Sequence, residues 1–200
     1  MTDEDHLRSL YGEPRPMSLR KELDHLSAEY VRFIEASPFM AMATGGVDGL
    51  DCSPRGDRDR VVDVVDAHTL RFADRRGNNR LDSLRNLLVD DRVALLFFVP
   101  GIVETMRVNG RATISVDPEL LAMYEVDGSL PRTVIEVRVE RAYFQCSRAT
   151  LRSGLWDPAR HADRGALPSC GQMLEGLSGG EVDGAAYDAD LAERLPDSLY

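Results

Sequence analysis

Two stretches of this chain alternate apolar and polar residues too regularly to be helical. In "IVETMRVNGRATISV", Ile102, Met106, Val108, Ala112 and Ile114 fall on one side, and Thr105, Arg107, Asn109, Arg111 and Thr113 on the other. In "TVIEVRVERAYF", Ile135, Val137 and Val139 oppose Glu136, Arg138 and Glu140. A period of two puts successive side chains on opposite faces of a sheet, so both stretches predict long strands with one face in a core.

The remaining apolar runs agree with a β-rich chain. "FMAMAT", "RVVDVVD" and "HTLRFAD" read as short strands. "RVALLFFV" is apolar throughout, which predicts burial on both faces. That makes six strands, and short links between them point to an antiparallel barrel or sandwich. Helices flank them. Leu19, Leu23, Leu26, Tyr30 and Ile34 fit one helical face, from a cap at Ser18 to about Ala36, where Ser37-Pro38 stops it. Asp117 and Pro118 open a short helix, and "NRLDSLRNLL" and the stretch before Trp156 suggest two more. The expected organisation is an N-terminal arm over 1–17, a folded domain over 18–156 and a C-terminal stretch over 157–200. This last stretch holds nine acids and three arginines, and reads either as a mobile tail or as an arm on a partner subunit.

A formal net charge of −10 disfavours nucleic acid as a partner, because phosphate contacts need a basic footprint. No apolar run reaches membrane-spanning length, and the polar start does not read as a signal peptide. Cys52, Cys146 and Cys170 are odd in number and scattered, which argues for a reducing, cytoplasmic setting. The four histidines share no metal-ligand spacing, so no metal is expected. Lys21 is the only lysine and sits in a charged stretch, so Schiff-base chemistry is not expected.

Against this acidic background the arginines of "FADRRGNNRLDSLRN" stand out. Gly77 permits a tight turn, Asn78 or Asn79 can cap the following helix, and Arg75 and Arg80 flank the turn. Arginine clamps phosphate with paired hydrogen bonds, so the turn reads as a site for one phosphate group. It reads equally as a solvated loop whose arginines pair with Asp74 and Asp82. A second candidate is Arg55, between Pro54 and Gly56 in "DCSPRGDRDR", with a charged hairpin loop as the other reading. Glu104 shares a face with Met106 and Val108, either at a sheet edge or against a ligand. Trp156, the only tryptophan, is either core or cofactor contact.

The order "SPRGD", "DRRGNNRLDSLRNLL", "VALLFFVPG", "ETMRVNGRA", "YFQCSRATLRSGLW" resembles the pyridoxamine 5′-phosphate oxidase-like, FMN-binding split-barrel family over about residues 10 to 170, and within it the uncharacterised bacterial branch. The resemblance implies a six-stranded antiparallel split β-barrel working as a homodimer, with FMN in clefts between the subunits. It implies that Ser53, Arg55, Asp74, Arg75, Asn78, Asn79 and Arg80 hold the FMN phosphate and ribityl chain, with Glu104 and Thr105 near the flavin ring and Trp156 reaching it from the partner. It implies an FMN-dependent oxidoreductase acting on a small-molecule substrate, with NAD(P)H as a candidate donor and no catalytic side chain singled out. The chain ends "AERLPDSLY", where the vitamin B6 oxidases carry an arginine- and histidine-bearing segment, so the resemblance implies another substrate. Two alternatives on the same fold are a non-catalytic flavin or haem binder, with His161 as the best axial ligand, and an F420-dependent reductase.

Overall fold

The computed structural model describes residues 3–200. Its centre is one antiparallel sheet of seven strands in the order β2-β1-β5-β6-β7-β4-β3. The strands are β1 (Phe39–Gly46), β2 (Gly49–Gly56), β3 (Asp63–Asp66), β4 (Thr69–Asp74), β5 (Arg92–Phe98), β6 (Thr105–Ser115) and β7 (Thr133–Gln145). Seven strands stand where six were expected. The added one is β2, "GLDCSPRG", which pairs with β1 from Phe39↔Gly56 to Gly46↔Gly49. Glycine, proline and aspartate are poor strand formers, but β2 is an edge strand, where Pro54 costs no ladder hydrogen bond on its open side.

The long strands β6 and β7 pair with each other along almost their whole length, with a bulge after Asn109. Gly110 lies at that bulge, where an added Cβ would come within 2.1 Å of the Arg138 carbonyl oxygen. Ile102 does not belong to the alternation: it lies in the turn before β6 and is 44% exposed. β5 is buried on one face, through Val93, Leu95 and Phe97, while Ala94, Leu96 and Phe98 are half-buried, so its apolar sequence does not mean two covered faces in the single chain.

The helices are α1 (Glu4–Tyr11), α2 (Pro16–Arg20), α3 (Ala28–Glu35), α4 (Asp82–Leu87), α5 (Pro118–Met123), α6 (Arg148–Ser153), α7 (Cys170–Leu177) and α8 (Gly184–Arg194). The single helix expected from Ser18 is broken in two. Leu23 leaves the helical path to bridge Ala142 of β7 with two backbone hydrogen bonds of 3.0 and 2.8 Å. Ser27 then caps α3 through the Tyr30 amide, so Leu26, Tyr30 and Ile34 are buried while Leu19 is 60% exposed. Asp117 caps α5 with Pro118 at its first position. Beyond residue 157 the chain forms short 3-10 turns and the α7–α8 hairpin, in which Ser169 makes a capping box and Asp188 accepts from the Gly171 amide at 2.8 Å.

The core fills the inner face of the sheet with Met40, Met42, Leu70, Phe72, Leu95, Phe97, Met106, Val108, Ile135 and Val137, closed by Ile34 and Tyr30 of α3 and Leu87 of α4. No helix among the described residues is long and apolar enough to cross a membrane.

Candidate functional site at the seam of the sheet

The inner row of β2 is polar. Residues paired across strands share a face, so Asp51, Ser53 and Arg55, opposite Thr44, Met42 and Met40 of β1, point inward with the core. The inner row of β4 likewise ends in Asp74, which pairs with Thr133 of β7. The sheet curls until these two rows meet. Arg55 lies 3.6 Å from Asp74, and both side chains are about four-fifths buried, at 19% and 20% exposure. Just past the ends of both strands the pairing repeats with the charges exchanged. Arg75 meets Asp57 at 2.8 Å, with 17% and 21% exposure. The seam is thus closed by two ion pairs of opposite polarity.

The two arginines differ in what they have left to offer. Arg75 donates through Nε to Asp57 and through a terminal nitrogen to the Tyr124 carbonyl at 2.7 Å, so its fork is committed to the fold. Arg55 donates to its neighbouring Pro54 carbonyl at 3.0 Å, and its buried Nε has no partner. A buried guanidinium donor left open costs free energy unless an acceptor arrives. The hydroxyl of Thr133, across from Asp74, is also buried without a partner.

Hydroxyls and carboxylates complete the seam. Ser83 on α4 and Ser53 both donate to Asp51, at 2.6 and 2.7 Å, and lie 3.0 Å from each other. These two hydrogen bonds, Ser83's first, hold the Asp51 carboxyl below the usual aspartate range. Asp74 moves the other way. Burial raises its pKa, and the charge of Arg55 only partly opposes that. Asn86 of α4 donates to Thr44 at 3.1 Å, which fixes the helix over β1.

The turn before α4 differs from its sequence reading. The helix starts at Asp82, and its cap position, Leu81, is left-handed with φ 63° and makes no side-chain cap. Asn78 therefore caps the Arg80 amide at 3.1 Å instead of the helix, and Asn79 is left-handed with φ 58°. Non-glycine residues in this region carry backbone strain, and two in three positions mark a turn shaped by more than local preference. Asn78, Asn79 and Arg80 are all exposed, and Arg80 pairs with Asp82 at 2.8 Å, as the solvated-loop reading of this turn has it.

Ser53, Arg55 and Asp74 are therefore brought together; Asn78, Asn79 and Arg80 lie on the adjoining turn. Thr105 is elsewhere. It neighbours inward-facing Met106 in β6 and so points to the outer face, with half-buried Glu104 just before the strand. Trp156, beyond α6, donates its indole N–H to the Ile102 carbonyl at 2.8 Å, which places it beside the segment leading to Glu104 and Thr105. His161 is exposed at the end of a 3-10 turn. Sequence reading missed Asp51, Asp57, Ser83 and Thr133. For Asp51 a signal existed, since Asp51, Ser53 and Arg55 recur at the strand period.

The fold and the seam define a class: a curled antiparallel sheet with helices on its flanks and an incompletely satisfied arginine where one edge strand meets the strand next to the other edge. The profile of the pyridoxamine 5′-phosphate oxidase family matches residues 26–146, more than half of the chain. The chain belongs to that family. Among solved structures, a variant of HupZ from Group A Streptococcus superposes with a TM-score of 0.50 at 16% identity, covering 60% of this chain and 99% of that one. A Lactobacillus delbrueckii protein described as a candidate pyridoxamine 5′-phosphate oxidase gives 0.47 at 21% identity, covering 62% and 98%. An F420 reductase gives 0.42 at 20% identity, covering 60% and 98%. No match is found among curated proteins.

Proposed function

We propose that this protein binds FMN at the seam and works as a cytoplasmic, homodimeric FMN-dependent oxidoreductase on a small-molecule substrate, with NAD(P)H as the candidate donor. The observation that carries the reading is the open, buried Nε of Arg55 within the polar inner row of β2, in a chain of the pyridoxamine 5′-phosphate oxidase family.

The residues present fit the cofactor's chemistry. FMN ends in a phosphate monoester with close to two negative charges, and a guanidinium fork suits it. Arg55 supplies the inner donor, and exposed Arg80, with Asn78 and Asn79 on the same turn, supplies charge and amides from outside. Ser53 and Ser83 offer hydroxyls. Asp51 and Asp74 accept from donors, and the ribityl chain is a run of hydroxyl donors. Arg75, already saturated, holds the wall of the site through Asp57 and the Tyr124 carbonyl. When bound, FMN supplies the redox chemistry, while the protein places it and sets its surroundings.

The same geometry supports dimerisation. In one copy Arg55 points inward and Thr105 outward, so one ligand meets both kinds of residue only if Thr105, Glu104 and Trp156 come from a second copy. The outer row also offers apolar surface. Phe39 is 43% exposed and its ring lies 6.1 Å from that of Phe98. The test is to purify the protein, record its visible spectrum and identify the released ligand by mass. A flavin spectrum bleached by NADPH or NADH supports the reading. A protein that neither carries nor takes up FMN defeats it.

A further inference from the structure

A second cleft opens behind the seam, and the side chain of Tyr200 closes one end of it. With Tyr200 in place about 510 Å³ stays open, lined by residues 57–63 together with Arg75 and Tyr124. Tyr200 donates its phenol to Asp57 Oδ1 at 2.9 Å, across a sequence separation of 143 residues. Two cations lie near its ring, with the guanidinium carbons of Arg58 and Arg75 at 5.1 and 5.2 Å from the ring centroid. Both distances are within reach of a cation–π contact. Burial first, then the hydrogen bond to Asp57, raises the phenol's pKa and keeps it a donor.

Past α8 little else holds the chain in place. From Leu195 to Tyr200 no residue is buried, and the only regular element is a short 3-10 turn, Pro196–Ser198. The side chain of Tyr200 thus behaves as a tethered ligand seated in a receptor. Asp57 links the cleft to the seam, because its other oxygen, Oδ2, holds Arg75.

We propose that this cleft is a binding site for a planar aromatic ring carrying a hydrogen-bond donor, a phenol-like ligand, and that Tyr200 is its built-in, displaceable occupant. Arg58 and Arg75 recognise the ring and Asp57 recognises the donor. The site shares Asp57 and Arg75 with the wall of the one proposed for FMN, but it does not depend on which cofactor the seam holds. A free ligand has to compete with Tyr200, so its apparent affinity is reduced by the fraction of time the cleft is vacant.

The test uses p-cresol, which is the tyrosine side chain alone, with toluene as the ring lacking a donor. Binding to the full chain is followed by NMR through the Arg58 and Arg75 Nε–H signals. If Tyr200 fills the cleft about nine-tenths of the time, Tyr200→Ala binds p-cresol about ten-fold tighter than the unaltered protein. Tyr200→Phe, which keeps the ring and loses the donor, falls between the two, and toluene binds Tyr200→Ala more weakly than p-cresol does. Equal p-cresol affinities for the unaltered protein and Tyr200→Ala overturn the proposal. So does failure of Tyr200→Ala to bind p-cresol, or equal binding of toluene and p-cresol.

Discussion

Arg55 on β2 and Asp74 on β4 face each other at 3.6 Å across the seam, joining a strand at one edge of the sheet to the strand next to the other edge. Arg75 and Asp57 repeat the contact with the charges exchanged at 2.8 Å. The first pair leaves a donor open; the second does not. That difference separates the proposed binding residue from a positioning residue within one structural motif.

It also separates two arginines of a single turn. Arg75 is four-fifths buried and bonds to Asp57 and to the Tyr124 carbonyl, whereas the Arg80 side chain is 74% exposed. Arg75→Ala takes from Asp57 the charged partner of its Oδ2 and should cost about 2 kcal/mol in urea unfolding, the scale of a lost charged hydrogen bond. Arg80→Ala should change stability by less than about 0.5 kcal/mol, as exposed ion pairs do. Equal losses would mean that Arg75 does not close the seam.

Asp74 gives the seam a pH dependence. Burial raises its folded-state pKa above the ordinary 3.8, more than Arg55 lowers it. A raised acid contributes stability that is fully present below the unfolded pKa and is lost as pH rises through the folded one. Asp74→Asn removes this dependence. The Tm of Asp74→Asn minus that of the unaltered protein should therefore grow more positive from pH 4 to pH 7. A constant difference would show that Arg55 fully offsets the burial of the carboxylate.

Gly110 permits the close approach of β6 and β7. An added Cβ would meet the Arg138 carbonyl oxygen at 2.1 Å, a backbone atom that cannot swing aside as the end of a flexible side chain would. Gly110→Ala should lower stability by about 1–3 kcal/mol, the range for overpacking. An unchanged urea midpoint would mean that the bulge after Asn109 absorbs the methyl.

Phe39 tests the proposed association. It is exposed on the outer row, beside the Phe98 ring. The unaltered protein should sediment as a dimer and Phe39→Asp as a monomer, with similar circular dichroism. A monomeric unaltered protein would remove the second copy from the site.

Much of the fold was legible because β4 to β7 advertise themselves by apolar runs or by alternation. β2 did not. Its inward positions carry Asp51, Ser53 and Arg55 where a strand ordinarily carries apolar side chains, and Gly49, Pro54 and Gly56 look like turn residues. The sequence features that hid the strand are those that make it the proposed site. Pairings such as Arg55 with Asp74, or Asp57 with Arg75, depend on the curl of the whole sheet, and no local pattern contains them. The same holds for Leu23, whose helical spacing is real but whose backbone bridges Ala142. For Arg80 the local view sufficed, since its partner Asp82 is two residues away.

The most direct test of the central claim is FMN affinity, followed by quenching of Trp156 fluorescence, in the unaltered protein and in Arg55→Ala. Among the described residues Arg55 is the one buried arginine with an open donor, and its removal should weaken FMN binding by about 1.5–3 kcal/mol, about 10- to 150-fold, while Arg85→Ala, an exposed arginine of α4, leaves it unchanged. Equal FMN affinity in the unaltered protein and Arg55→Ala would contradict the assignment of the seam as the cofactor site.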